Sequence, residues 1–260
     1  SAVGVIGLPH GAFDSAIAAH LGYLRRPHFL IRFLLLYTLI TALIVAVWLI
    51  FPVVSLIVFL LISIIHFGLG DARADYGWLR WVQVVAHGGI VVVGISQFHQ
   101  SEVNQIFGYL TGHDVTMVWA TIDGVSIILV AAFVIYAWQA LWNLRWRYGF
   151  IELISLLLIF SILPPLIGFA FYFCCVHSVR HLKVLWWTLQ TVFQRKNFYI
   201  QAFIYTITSW IVGGIVFLWC TNQMLVETAL IRVVFIGLAA LTVPHMLLVD
   251  GFFRKRLGCS

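Results

Sequence analysis

Uncharged, apolar runs follow one another along nearly the whole chain, and several exceed 20 residues, about the length a helix needs to cross a hydrocarbon core. Inside a bilayer only helices and closed barrels satisfy their own backbone polar groups, and continuous apolar runs fit helices, because barrel strands alternate apolar with polar positions. The fold class is therefore all-α, a polytopic transmembrane helical bundle. Composition excludes the soluble alternative: 63% of the 260 residues are hydrophobic and 9% charged, too few to cover a soluble surface of this size. No linker, low-complexity tract or second domain interrupts the pattern, so residues 1–260 read as a single integral-membrane domain.

Nine spans are expected, over residues 1–22, 29–50, 53–70, 79–98, 117–144, 150–163, 166–189, 199–220 and 228–252. Pro52, Pro164 and Pro165 mark turns, because proline cannot donate a helical hydrogen bond. The opening SAVGVIGLPH lacks an initiator methionine, a charged leader and a cleavage site, so the first span is expected to be truncated at its N-terminus. Orientation follows from the basic residues. Odd loops carry Arg25 and Arg26, Arg73, Arg145 and Arg147, then Arg195 and Lys196, and the C-terminus carries Arg254, Lys255 and Arg256, whereas the even loops have no Lys or Arg. By the positive-inside rule the odd loops and the C-terminus are cytoplasmic. Nucleic acid is excluded as a partner, since the net charge of +6 sits in these short loops. The loop at 99–116 is polar enough to lie on the outer surface. Cys174, Cys175, Cys220 and Cys259 show no C-x-x-C spacing and read as small apolar fillers.

Within these spans the conspicuous polar residue is histidine. Of ten, His20, His28, His99 and His113 fall at span ends or in loops and read as solvated or interfacial; His10, His66, His87, His177, His181 and His245 lie inside spans. His177 and His181 occur in FYFCCVHSVRHLK, four residues apart with Arg180 between them. On a helix that spacing is about 6 Å along one face, close enough for two imidazoles to share a metal ion. At about 1.5 Å per residue, His66, His87 and His181 fall in the cytoplasmic half of a core about 30 Å thick, and His10 and His245 also lie nearer their cytoplasmic ends. A lone buried histidine is usually a packing residue bonded to a neighbouring carbonyl. Six in one layer, on five spans, are what a buried metal site requires. Imidazole suits iron, copper, nickel and zinc, so ligand type leaves the metal open.

Asp14, Asp71 and Asp250 each follow a histidine by about one turn and can orient an imidazole or pair with Arg180; the competing reading is an interfacial carboxylate. Gly11, Gly68, Gly88 and Gly89 adjoin three of the histidines, where small residues permit close helix approach or serve packing alone. Glu152 and Asp123 receive no role. Phe169, Phe171, Tyr172, Phe173, Trp186 and Trp187 surround the central histidine pair, either as lipid-facing aromatics or as the wall of a tunnel for a long apolar substrate. No phosphate-binding loop, dinucleotide fingerprint, Ser/His/Asp arrangement or C-x-x-C-H motif occurs.

The blocks GLPHGAFD, LLISIIHFGLGD, AHGG, YFCCVHSVRH and FIGLAALTVPHM, in this order along nearly the whole chain, resemble the bacteriorhodopsin-related (Brp/Blh) family of beta-carotene 15,15'-dioxygenases. The resemblance implies an enzyme of a prokaryotic cell (inner) membrane that cleaves the central double bond of beta-carotene with O2 into two molecules of all-trans-retinal at histidine-held non-haem iron, Fe(2+). Carried over motif by motif, it implies His10, His66, His177 and His181 as catalytic iron ligands. His87 and His245, with Asp14, Asp71, Asp250 and Arg180, are then candidates for a second site or for support of the ligands. Its implied partners are beta-carotene, O2, the lipid bilayer and a rhodopsin apoprotein that accepts retinal. Family chains carry further apolar residues ahead of the first histidine block, a departure from the pattern here.

Two other classes compete. A membrane di-iron hydroxylase or desaturase is also rich in histidine but uses repeated H-x3/4-H and H-x2-HH boxes, whereas this chain has one H-x3-H and no adjacent histidine pair. A b-type haem electron carrier would need paired axial histidines and would show a Soret band. A transporter fits the buried charges less well, since the basic residues are mainly in loops.

Overall fold

The computed structural model describes residues 14–20, 27–73, 77–112, 114–188 and 196–250. Of these 93% are helical and none is in a strand, which rules out a barrel for the described residues. The helices are α1 (Asp14–His20), α2 (Pro27–Ile50), α3 (Pro52–Asp71), α4 (Trp78–Gly89), α5 (Ile95–Phe98), α6 (Gln100–Thr111), α7 (Thr116–Trp142), α8 (Leu144–Ile162), α9 (Pro165–Phe171), α10 (Ser178–Thr188), α11 (Lys196–Thr221) and α12 (Val226–Leu248). Two π-helical stretches interrupt the series. Ile90–Gly94 joins α4 to α5, and Tyr172–His177 joins α9 to α10.

The chain divides into two compact units. A central unit comprises Val53–His177, and a terminal unit comprises Ser1–Pro52 with Ser178–Ser260.

In the central unit α4 is the inner element. The apolar window of Trp78–Phe98 is 78% buried, against 6% for His28–Ile50 and 0% for Phe203–Thr221, whose apolar side chains are left for lipid. Helix α4 packs on α7, and its π-helical extension packs on α8. The α3–α4 crossing depends on two glycines: a Cβ at Gly68 would overlap the carbonyl of Val84, and one at Gly88 the carbonyl of Ile64. Backbone therefore lies on backbone there, which only glycine permits.

The separation of α7 from α8 follows from Asn143. Its backbone is extended and its side-chain oxygen accepts the Arg145 N–H at 3.0 Å, capping α8. Helix α8 ends where Leu163 turns extended ahead of Pro164, and Pro165 opens α9. In the terminal unit α12 packs against α2 and α11.

Apart from Asn143 and Leu163, the eight apolar runs from residue 29 onward are helical in their described parts. Differences are local. The expected span 150–163 belongs to a helix that starts earlier, at the Asn143 cap, and carries Arg145, Arg147 and Glu152. The run 166–189 is not one α-helix but α9, a π-helical stretch and α10, and His177, Arg180 and His181 make it less apolar. The region 99–116, expected as a loop, contains α6, with Val103, Phe107 and Leu110 on its buried side. Six described helices have the length and apolarity of a membrane span, so the protein is a helical membrane protein, and the number nine is not confirmed.

Candidate metal centre

Helix α3 carries His66 and the π-helical stretch Tyr172–His177 carries His177, and the two meet inside the central unit. Both side chains are 3% exposed, and their rings meet edge-on with centroids 5.0 Å apart. A metal–nitrogen bond of about 2.0–2.1 Å puts a ring centroid roughly 3.2 Å from the ion, so two imidazoles on one ion stand about 4.5–5.2 Å apart. The pair has that spacing. Aromatic neighbours hold the rings in place: Phe67 meets His177 edge-on at 4.9 Å, and Phe173 stacks on it at 5.9 Å.

The terminal unit holds a second pair. His181 on α10 and His245 on α12 are buried, with ring centroids 5.2 Å apart. Asp14 at the start of α1 accepts a hydrogen bond from His245 Nδ1 at 2.7 Å and another from the Tyr37 hydroxyl of α2 at 2.9 Å. Both units thus place two imidazoles at the separation a shared ion imposes, and neutral imidazole is a donor for ferrous iron, so the residues present fit the metal.

His87 belongs to a different group. Its Nε2 lies 3.1 Å from the Tyr136 hydroxyl, and His87, Asp71 and Glu152 offer ligand atoms within 4.8 Å of one another. Tyr172 donates to Asp71 at 2.8 Å, and Arg73 pairs with Glu152 at 2.5 Å. The three residues could hold a metal ion, but Arg73 already supplies Glu152 with a cation, which an ion would have to displace. Of these contacts the buried one should matter more for stability. Tyr172→Phe deprives a buried carboxylate of a donor and is expected to cost about 1–3 kcal/mol. Arg73→Gln removes a pair whose guanidinium side is 45% exposed and should cost less than about 1 kcal/mol. Thermal unfolding in detergent micelles checks the order.

His10 and His113 lie outside the described residues. His20 and His28 are exposed, as expected, and His99 Nε2 donates to the Phe160 carbonyl at 2.7 Å, which makes it a packing residue at the end of α8. Arg180 is half-buried on α10, and Asp250 is half-buried in π-helical residues that follow α12. Asp123 accepts from Gln97 at 2.9 Å. Glu152, given no role from sequence, proves to be part of the His87 group, together with Tyr136 and Tyr172. The signal available was its position as a lone carboxylate in an apolar run. An open cavity of about 530 Å³, lined by Gln100, Ser101, Asn104, Trp119 and Asp123, includes none of these histidines.

The sequence profile of the beta-carotene 15,15'-dioxygenase family matches residues 1–253. The chain belongs to this family. It is 38% identical over 250 residues to a beta-carotene 15,15'-dioxygenase of an uncultured marine bacterium, covering 96% of this chain and 90% of that protein. No solved structure matches. In this member of the dioxygenase family, four of the five sequence blocks that carry the resemblance contribute a buried described histidine: His66, His87, the pair His177 and His181, and His245. The fifth, GLPHGAFD, contributes Asp14, and its His10 lies outside the described residues.

Proposed function

We propose that the protein cleaves the central double bond of beta-carotene with molecular oxygen, yielding two molecules of all-trans-retinal, at ferrous iron held by His10, His66, His177 and His181. The observation that carries this reading is the buried His66–His177 pair, at the separation one ion imposes, in a chain of the dioxygenase family.

Ferrous iron, when bound, supplies the means of activating O2 beside the polyene. The chain's own residues do the rest. Neutral imidazoles leave the ion its full charge beside a substrate that brings none. Phe67 and Phe173 fix the His177 ring, and Phe169 stacked on Phe173 at 5.7 Å extends the apolar wall that keeps water from the site. A wall of stacked aromatics also suits a flat conjugated hydrocarbon, and fixing which bond lies at the site determines the product. Because the substrate dissolves in lipid, a site inside a membrane helix bundle needs no transfer of carotene through water.

Atoms balance without an external reductant: one double bond and one O2 become two aldehydes. Brief turnover under labelled oxygen, with products identified by mass, is expected to give retinal as the sole aldehyde, with label in both product molecules. Dominant longer apocarotenals would refute central cleavage.

On this reading residues 1–260 act as one catalytic domain in the inner membrane of a prokaryote, and retinal passes on to a rhodopsin apoprotein. The cytoplasmic C-terminus rests on the basic loops. Reporter fusions after Lys196 and Arg256 should both report cytoplasm and one after His113 the outer side; a cytoplasmic signal at His113 would overturn the topology.

A further inference from the structure

Asp14 and His245 are 231 residues apart in sequence, yet both are buried and share a 2.7 Å hydrogen bond in the terminal unit. A carboxylate only accepts, so His245 Nδ1 must carry the hydrogen, which leaves Nε2 as the nitrogen that can face a ligand. The carboxylate is itself fixed. Tyr37 donates to its other oxygen at 2.9 Å, and the same hydroxyl lies 3.3 Å from the Leu241 carbonyl, one turn before His245 on α12. Asp14 of α1, Tyr37 of α2 and His245 of α12 thus form one hydrogen-bonded chain that ends at an imidazole. That imidazole stands edge-on to His181, with centroids 5.2 Å apart and planes at 71°.

We propose that His245 is a further donor to the metal centre, beside His181, and that Asp14, locked by Tyr37, is the positioning residue that sets its ring and tautomer. The physical reasons are three. The ring separation matches two imidazoles on one ion, roughly 4.5–5.2 Å. The carboxylate on Nδ1 is the arrangement that orients a metal-bound histidine and raises its basicity. Asp14, His181 and His245 are all buried, so an ion held there would be shielded from water, where a carboxylate behind its ligand offsets part of its charge. The proposal rests on His181 being a ligand. It gives Asp14 and Tyr37 a task within the terminal unit.

The test uses the full chain, purified metal-free in detergent and titrated anaerobically with Co(II), whose visible bands report the ligand set. Competition with a chelator gives its affinity. His245→Ala and the bulk-preserving His245→Gln are each expected to weaken Co(II) binding at least 10-fold and to shift the bands. Asp14→Ala should weaken it about 10- to 100-fold, and Asp14→Asn, whose side-chain oxygen still accepts from Nδ1–H, should recover part of that loss. A purely structural contact would not move the Co(II) bands of protein that elutes as a folded species. Parent-like affinity and bands in both His245 variants would overturn the proposal. His181→Ala separates the failures. If it loses Co(II) while the His245 variants keep it, only this inference is wrong; if it too binds normally, the assignment of His181 as a ligand is wrong.

Discussion

Alanine at His66 or His177 is expected to abolish bound iron and to reduce retinal formation below about 1% of the parent rate, since loss of a group that merely supports a ligand already costs 10–100-fold. The two residues should behave alike, because their rings are 5.0 Å apart and equally buried. The controls are His20, which is exposed, and His99, bonded to the Phe160 carbonyl. Alanine at His20 should change neither iron content nor rate, and at His99 it should lower stability by about 1 kcal/mol while leaving iron in place. Iron per chain by elemental analysis, read beside turnover, distinguishes a lost ligand from a misfolded protein. Full iron and normal rate in His177→Ala would remove that residue from the site.

The largest effect on the fold is expected at the α3–α4 crossing. A side chain at Gly88 would run into the Ile64 carbonyl, and one at Gly68 into that of Val84. Neither obstacle is a side chain that can rotate away. Gly88→Val or Gly68→Val should therefore exceed the roughly 1–3 kcal/mol of ordinary overpacking, because the helices themselves must separate. The expected outcome is protein that fails to accumulate as a monodisperse species in detergent. Gly124, where a Cβ would meet only open space, should accept alanine without loss. Wild-type yield and unfolding temperature for Gly88→Val would contradict the close crossing.

What can be read from sequence is what depends on residue type and local spacing. Apolar runs indicate the helices, because a lipid-facing helix needs nothing else. The division of histidines agrees with burial for every described one within a span, since His66, His87, His177, His181 and His245 are buried, whereas His20 and His28 are exposed. What cannot be read is which helix lies beside which. Nothing in GLPHGAFD indicates that Asp14 will meet His245, 231 residues away, or in YFCCVHSVRH that Tyr172 will meet Asp71. Glu152 receives no role from sequence for the same reason: its partners come from other segments of the chain. Helix α6 is hidden by polar residues such as Gln100, Ser101 and Asn104, although its apolar positions recur at helical spacing.

The π-helical stretches bear on how this chain aligns with its relatives. One directly follows the His87–Gly89 segment, one ends on His177, and π-helical residues Val249 and Asp250 come shortly after His245. A π turn bonds five residues back instead of four, so it carries about one residue more than the α turn it replaces. Removing that residue would restore an α turn through about the same angle and rise, so the helix beyond it would keep its direction. A one-residue gap within these stretches, when two members of the family are aligned, therefore leaves the flanking helices facing as before, whereas the same gap in an α-helical stretch would turn everything beyond it by about 100°. The π turns are the places where these helices can take up a change in length without a change in the site.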